Sequence, residues 1–205
     1  MLSSLLGFLF LLAPLSVWAQ PPASSHSDWK GFSDEAGGVK FQYPRRWILS
    51  EGNKYSVATS LTRQGIPPRA AAYIGNADSN PYPNTTLVGA EFLYVPRQAA
   101  SNEACSEMIV NKEWPDAKLL APESFNGVTF AHAKSADNWT CHYLREDLYS
   151  TYRGGTCYLF DLAVETECFG AVDGVRQLTS AETADIQATL NKILSTVSIH
   201  EKDTK

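Results

Sequence analysis

The sequence lacks the short motifs that most often mark an enzyme. Its 205 residues contain no Gly-x-Ser-x-Gly nucleophile elbow, no His-Glu-x-x-His zinc helix, no phosphate-binding glycine loop and no dinucleotide fingerprint. Basic residues are scattered, with 17 Lys and Arg against 22 Asp and Glu, and the net charge is −5. Because nucleic-acid binding needs clustered positive charge, no nucleic-acid partner is expected. The sequence predicts no cofactor and no catalytic residue, and therefore a protein that is not an enzyme.

Residues 1–19 lack any charged side chain. The apolar run from Leu5 to Ala19 is short for a membrane span, and Val17-Trp18-Ala19 is a small-x-small cleavage pattern. We therefore predict a signal peptide at 1–19, a flexible mature N-terminus at 20–28, and a secreted or periplasmic protein without stable membrane insertion after cleavage. A typical leader has Lys or Arg before its apolar run, so an uncleaved anchor is the alternative.

The mature chain is long enough to bury one sizeable core. Aromatic residues make up 11% of the sequence, which suits a packed, sheet-containing domain. We expect a single domain at 29–200 and a C-terminal tail at 201–205. The sequence does not indicate an oligomeric state.

Only four cysteines are present, and all lie in the mature part: Cys105, Cys141, Cys157 and Cys168. In an exported protein an even number of cysteines predicts disulfides. Gly154-Gly155 between two strand-like runs predicts a two-residue hairpin. With these glycines as the loop, Tyr152 opposes Cys157, and further out Cys141 opposes Cys168, at a separation suited to a disulfide.

Cys157 then points to the opposite side of the hairpin from Cys168 and needs another partner. Ser101 or Asn102 can cap a helix in which Cys105 lies on the apolar face with Met108. Such a helix, packed on the sheet, would bring Cys105 to Cys157. We therefore predict the pairs Cys105 with Cys157 and Cys141 with Cys168. A metal site is the alternative, although no pair has CxxC spacing.

Periodicity predicts a mixed fold with strands at 39–43, 56–62, 87–95, 125–134, in both arms of the glycine hairpin and at 197–200. One helix is expected near Cys105 and another from Ala181 to Ser195, where Thr179 and Glu182 fit a capping box. The run from Cys157 to Val164 is apolar on both sides of the pleat, so it needs a layer on each face. The predicted class is α/β (α+β): an α/β/α sandwich with a mainly antiparallel sheet of about six to seven strands and two main helices.

A family resemblance begins at Phe41-Gln42-Tyr43-Pro44, followed by Trp47. This segment resembles the F-x-Y-P…W opening of PsbP/Mog-like domains, and the close from Leu190 to Ile199 resembles their C-terminal helix and strand. The chain looks most like the secreted bacterial members of that fold group. The resemblance implies an α/β/α sandwich with a non-catalytic binding or assembly role. The leader lacks plant transit features, and export is incompatible with the nuclear small-GTPase-binding role of the Mog branch, so neither family function is transferred.

These observations favour an exported, non-catalytic binding or accessory protein. One alternative is a small secreted hydrolase or metal-dependent enzyme, in which His132 and His142 on neighbouring strands approach each other with Asp137 or Glu146 as a third ligand. Another is an inhibitor or immunity-type protein that binds one secreted partner. The neighbouring charges Arg145, Glu146 and Asp147 are most simply a solvated edge.

The segment from Arg63 to Asn84 supplies a candidate binding surface. It contains four prolines and is longer than most connections in a compact domain. Exposed tyrosines on a rigid scaffold suit the recognition of a protein or peptide in the exported compartment. We therefore predict a partner-binding loop that includes Tyr73, Ile74 and Tyr82; a partly stranded insertion without such a role is the alternative.

Overall fold

The computed structural model of the chain describes residues 28–52, 54, 57–75, 79–110, 117–170 and 173–200. The predicted signal peptide and C-terminal tail lie outside these residues. The strands are β1 (Trp29–Asp34), β2 (Val39–Pro44), β3 (Ile48–Glu51), β4 (Ala70–Ile74), β5 (Leu87–Gln98), β6 (Lys118–Leu119), β7 (Glu123–Phe125), β8 (Val128–Trp139), β9 (His142–Arg153), β10 (Thr156–Glu167) and β11 (Ser198–Ile199). The helices are α1 (Ser60–Arg63), α2 (Asn102–Glu107) and α3 (Ser180–Ser195).

The strands form two antiparallel sheets. The main sheet has eight strands, in the order β3-β4-β5-β10-β9-β8-β6 with β7 also paired to β8. The small sheet has the order β1-β2-β11. The predicted mixed class with a mainly antiparallel sheet is therefore confirmed, whereas the strand number was underestimated and only one described helix, α3, exceeds six residues.

Both faces of the main sheet are covered, as the apolar run in β10 predicts. The first face, which includes Phe92 and Phe160, packs against α3 and the small sheet. The second face, which includes Val95 and Leu159, packs against α1 and α2. Alternation along each strand therefore assigns every side chain of the sheet to one of two chemically separate environments.

Helix α3 begins as the sequence predicts. The Thr179 hydroxyl accepts a hydrogen bond from the Glu182 amide, and the Glu182 carboxylate accepts one from the Thr179 amide, which completes a capping box. The apolar stripe is buried against the first face, at Ile186, Leu190, Ile193 and Leu194. Because this stripe faces the sheet, the opposite side of α3 remains free to line a site.

The glycine hairpin has the predicted register, because Tyr152 pairs with Cys157 and Tyr149 with Phe160. Gly154 and Gly155 have φ of 52° and 81°, a conformation that favours glycine. The disulfides are the predicted pairs. Cys105 and Cys157 have their Cα atoms 5.3 Å apart, and Cys141 and Cys168 have theirs 4.8 Å apart.

Three local predictions were wrong or incomplete. The alternating segment 56–62 does not form the predicted strand over its described residues, because Thr59 caps the short helix α1. The connection from Arg63 to Asn84 contains strand β4, which pairs with β3 and β5. Strand β5 runs through Pro96 instead of ending there. The Tyr94 carbonyl accepts a hydrogen bond from the Arg69 amide, so the backbone of Tyr94 faces β4. Pro96, two residues on, directs its nitrogen to the same side but past the end of β4, so no hydrogen bond of the ladder is lost.

Candidate binding groove

Helix α3 leaves part of the first face uncovered. It packs mainly on β10 and β5 and reaches β9 through the Gln187–Asp147 hydrogen bond, whereas β8 continues the sheet beyond it. The uncovered part is the floor of an open groove, which has a volume of about 960 Å³. Its floor includes Lys134, Ala136, Arg145, Asp147 and Val164, and its walls include Lys118, Leu120, Gln177, Leu178, Thr183, Ala184 and Gln187. We call this space the main lobe.

A smaller lobe, of about 340 Å³, continues toward the Cys141–Cys168 disulfide. Tyr143 and Phe169 line this end lobe, and their side chains are 47% and 68% exposed. The lobes share their central lining residues: Arg145, Val164, Gln177, Leu178 and Thr183. The two lobes therefore form one continuous groove with exposed aromatic rings at one end, which is a common feature of protein-binding surfaces.

The charges in the groove are unevenly paired. Asp147 lies 2.8 Å from the His132 Nε2 atom and 3.4 Å from the Lys134 Nζ atom, and it accepts a hydrogen bond from Gln187 at 3.2 Å. Arg145, in contrast, has no ion pair or hydrogen bond with any residue that the structure describes. The central cation of the groove is therefore available to a ligand, whereas its one central carboxylate is already shared.

Predicted strand neighbours His132 and His142 do not come together. His132 opposes Tyr149 in the β8–β9 ladder and stacks on that ring at 4.3 Å, whereas His142 opposes Trp139 near the other end of the strands. The proposed third ligands are also engaged elsewhere. Asp137 pairs with Arg63, and Glu146 accepts from the Ser60 amide on the second face. The alternative of a His132–His142 metal centre is therefore wrong.

The two histidines instead bind separate carboxylates. His132 is buried and has Asp147 at Nε2 and Glu123 2.8 Å from Nδ1. The Nδ1 of His142 lies 2.8 Å from Glu165. Within the described residues, no group of three or more His, Cys, Asp or Glu side chains is arranged to hold a metal ion.

The three residues of the predicted partner-binding loop do not share a surface. Ile74 is 1% exposed in the core of the first face, because it lies in strand β4. Tyr73 is the next residue of that strand and points to the second face. Tyr82 packs on the first-face core, and its hydroxyl donates to Asp185 of α3 at 2.5 Å. Strand pairing therefore separates the three residues, and a role of this segment in partner binding stays a prediction.

Three carboxylates form a buried cluster on the second face, which the sequence analysis did not predict. Glu91 and Glu146 both oppose Ala163 in the strand ladders, and Asp161 precedes Ala163 by two residues on the same face. Burial, then the carboxylates of Glu146 and Glu91, raise the pKa of Asp161 well above its ordinary value. The three residues are far apart in sequence, and only strand register brings them together.

Two of these carboxylates hold the chain segment that enters α1. Glu91 accepts a hydrogen bond from the Val57 amide at 3.2 Å, and Glu146 accepts from the Ser60 amide at 2.6 Å and from the Ser60 hydroxyl. Buried backbone amides need such partners. The cluster therefore attaches α1 to the sheet and lies on the opposite face from the groove.

Comparison with known proteins shows similarity only at the level of structure. No family model matches the chain, and no curated protein matches it in sequence. The solution structure of cyanobacterial PsbP (CyanoP) from Synechocystis sp. PCC 6803 is 10% identical with a TM-score of 0.48, and the match covers 88% of this chain and 98% of that one. LpqN of Mycobacterium tuberculosis, described as involved in cell envelope biogenesis, is 11% identical with a TM-score of 0.45, covering 88% and 100%.

A crystal structure from Bacteroides thetaiotaomicron VPI-5482 is 14% identical with a TM-score of 0.44, and the match covers 86% of this chain and 50% of that one. Among the residues that the structure describes, no helix is long and apolar enough to cross a membrane. Each of the three matches is a similarity to a solved structure at 14% sequence identity or less.

Proposed function

We propose that this chain is an exported, non-catalytic accessory protein that binds a protein or peptide partner in the groove beside α3. The observation that supports this function best is the continuity of the two lobes through Arg145. The leader pattern and the two disulfides support export, because disulfides persist in oxidising compartments.

The composition of the groove suits reversible binding. Apolar side chains at its centre, Val164 and Leu178, lie beside an accessible guanidinium, and two exposed aromatic rings follow in the end lobe. Binding energy at protein interfaces is concentrated in such aromatic and arginine side chains. The partner gains contacts along the whole floor instead of at one small cavity.

A bulky side chain on the free side of α3 tests this function. Ala184 is exposed and lines the main lobe, so the Ala184→Trp variant would fill the groove without changing the core. Ala188 is exposed on the same helix but lines a different depression, beside Trp29 and Arg45, so Ala188→Trp is a matched control.

The measurement is affinity purification of the tagged mature protein from its native envelope or culture fluid, followed by mass spectrometry. The wild type and Ala188→Trp should recover the same partner, and Ala184→Trp should lose at least ten-fold of it. Equal recovery by Ala184→Trp, or no partner with any of the three, would contradict the proposed function.

A further inference from the structure

We infer that the occupant of the groove is an extended acidic segment of the partner protein, whose carboxylates bind Arg145 and the neighbouring lysines. This inference rests on the proposed function and names the chemistry of the partner. It follows from the charges that the groove leaves uncompensated, from their spacing along β9, and from the aromatic rings of the end lobe.

The cross-strand neighbours of Arg145 are apolar. Its cross-strand neighbours are Ala136 on β8 and Val164 on β10, and its side chain is exposed in the region common to both lobes. None of the described residues pairs with its guanidinium. A guanidinium presents a planar fork of donors that matches a carboxylate in two-point contact. The fold thus presents an arginine to an incoming anion with no competing internal partner.

Three other described arginines each pair with a carboxylate. Arg63 pairs with Asp137 at 2.8 Å, Arg69 with Asp34 at 3.3 Å, and Arg176 with Glu182 at 2.6 Å. Each of these three fastens one element of the fold to another. Arg145 makes no such connection to a described residue, and it lines both lobes of the groove.

A second positive site lies beside Arg145. Lys118 of β6 and Lys134 of β8 are directly opposed in the ladder, and like charges in that position repel each other. The nearest compensating group is Asp147, 3.4 Å from Lys134, which also binds His132 and Gln187. Two lysines therefore share one neighbouring carboxylate here, in a protein whose net charge is −5. An anionic ligand would relieve this repulsion.

The spacing of these sites predicts a sequence pattern for the occupant. Tyr143, Arg145 and Asp147 alternate on the same face of β9, so successive sites are about 7 Å apart, the span of two residues in an extended chain. The lysine pair lies beside Asp147, because Lys134 opposes it in the ladder. The occupant should therefore carry an aromatic or large apolar residue with acidic residues two and four positions to one side of it.

A peptide accounts for the groove better than a free anion does. The main lobe and end lobe together extend from Lys118 to Phe169, far beyond the size of one phosphate or carboxylate. A free anion would also leave Tyr143 and Phe169 uncovered. An extended segment covers the aromatic rings and the cations at the same time.

The test is selection of a displayed random dodecapeptide library on the purified mature protein with both disulfides formed, followed by fluorescence polarisation with the enriched peptides. We expect enrichment of peptides with Asp or Glu two and four residues to one side of an aromatic residue. Arg145→Glu should raise Kd at least ten-fold, and Arg145→Lys should raise it less. Lys30→Glu changes the net charge equally on the exposed surface of β1 and should leave Kd unchanged.

Thermal unfolding of each variant checks the fold, and Arg145 is exposed, so a stable Arg145→Glu protein is expected. If Ala184→Trp abolishes peptide binding but Arg145→Glu does not, the groove function stands and the acidic partner is wrong. If neither substitution changes Kd, both proposals are wrong. Enrichment without acidic residues, or no enrichment at all, overturns the inference.

Discussion

The hydroxyl of Tyr94 donates a hydrogen bond to the buried carboxylate of Asp34 at 3.2 Å and thereby joins the main sheet to the small sheet. Arg69 supports the same carboxylate at 3.3 Å. Burial opposes ionisation of Asp34, but the Arg69 guanidinium, the Gly37 amide and the Tyr94 hydroxyl together hold its pKa below the ordinary value.

Replacing this carboxylate should weaken the junction in a pH-dependent way. A lowered pKa in the folded state means that the stabilisation is present above the unfolded pKa, near 3.8, and is lost as the pH falls through the folded value. We expect Asp34→Asn to lower the free energy of unfolding by about 1–3 kcal/mol at pH 7 and by less at pH 3.

Urea unfolding at both pH values measures this effect. Glu35→Gln is the control, because Glu35 is the neighbouring acid and its side chain is 82% exposed. A loss for Asp34→Asn that is the same at pH 3 and pH 7 would show that the charge of Asp34 does not stabilise the junction.

The opposite pH dependence is expected for Asp161. Its pKa is raised by burial and by Glu146, so the folded protein keeps a proton that the unfolded chain releases above its ordinary value of 3.8. The stabilisation that Asp161 contributes is therefore fully present below pH 3.8 and decreases as the pH rises toward the raised pKa. The Asp161→Asn side chain cannot titrate. Its free energy of unfolding should therefore rise relative to that of the wild type by up to about 1.4 kcal/mol for each pH unit in this window.

Chemical unfolding of the wild type and Asp161→Asn at unit pH steps from 3 to 8 checks this prediction. The informative quantity is the difference between the two free energies of unfolding, because all other titrating groups largely cancel. A difference that stays constant across the series would contradict a proton held at Asp161.

The two disulfides should contribute unequally to stability. Cys105–Cys157 closes 52 residues and fixes α2 on the second face, whereas Cys141–Cys168 closes 27 residues across an already paired hairpin. Loss of a native disulfide usually costs about 2–5 kcal/mol of stability. The difference in loop length accounts for only about 0.6 kcal/mol of closure entropy, so the attachment of α2 should decide which loss is larger. We expect the Cys105→Ala/Cys157→Ala variant to have the lower Tm of the two double variants.

Peptide mapping under non-reducing conditions should find both predicted pairs in the wild type before the Tm values are compared. A lower Tm for the Cys141→Ala/Cys168→Ala variant would mean that the hairpin end, and not the attachment of α2, limits unfolding.

The parts of the fold that sequence predicted are those governed by local chemistry. Gly154-Gly155 determined the register of a hairpin as far as Cys141 and Cys168, because two-residue loops leave little freedom. Helix α3 was predicted because its cap and its apolar stripe agree. Helix α1 was not, since the alternation in 56–62 favoured a strand, whereas contacts with Glu146, far along the chain, hold Ser60 at the helix start.

The sequence does not predict the groove, because the consecutive charges Arg145, Glu146 and Asp147 resemble one solvated edge. Alternation along β9 sends Glu146 to the buried second face and Arg145 and Asp147 to the first. Applying this alternation to the sequence would have separated them. No local signal could have shown that α3 leaves Arg145 uncovered, since that depends on where α3 crosses the sheet.

The proline in β5 has a consequence for encounters between copies of the protein. Beyond β4, which pairs with β5 only as far as Tyr94, no described strand covers that side of β5. An uncovered strand is a template on which another chain can add. Pro96 removes the amide that an added strand would need there, and so the fold discourages edge-to-edge aggregation at this point.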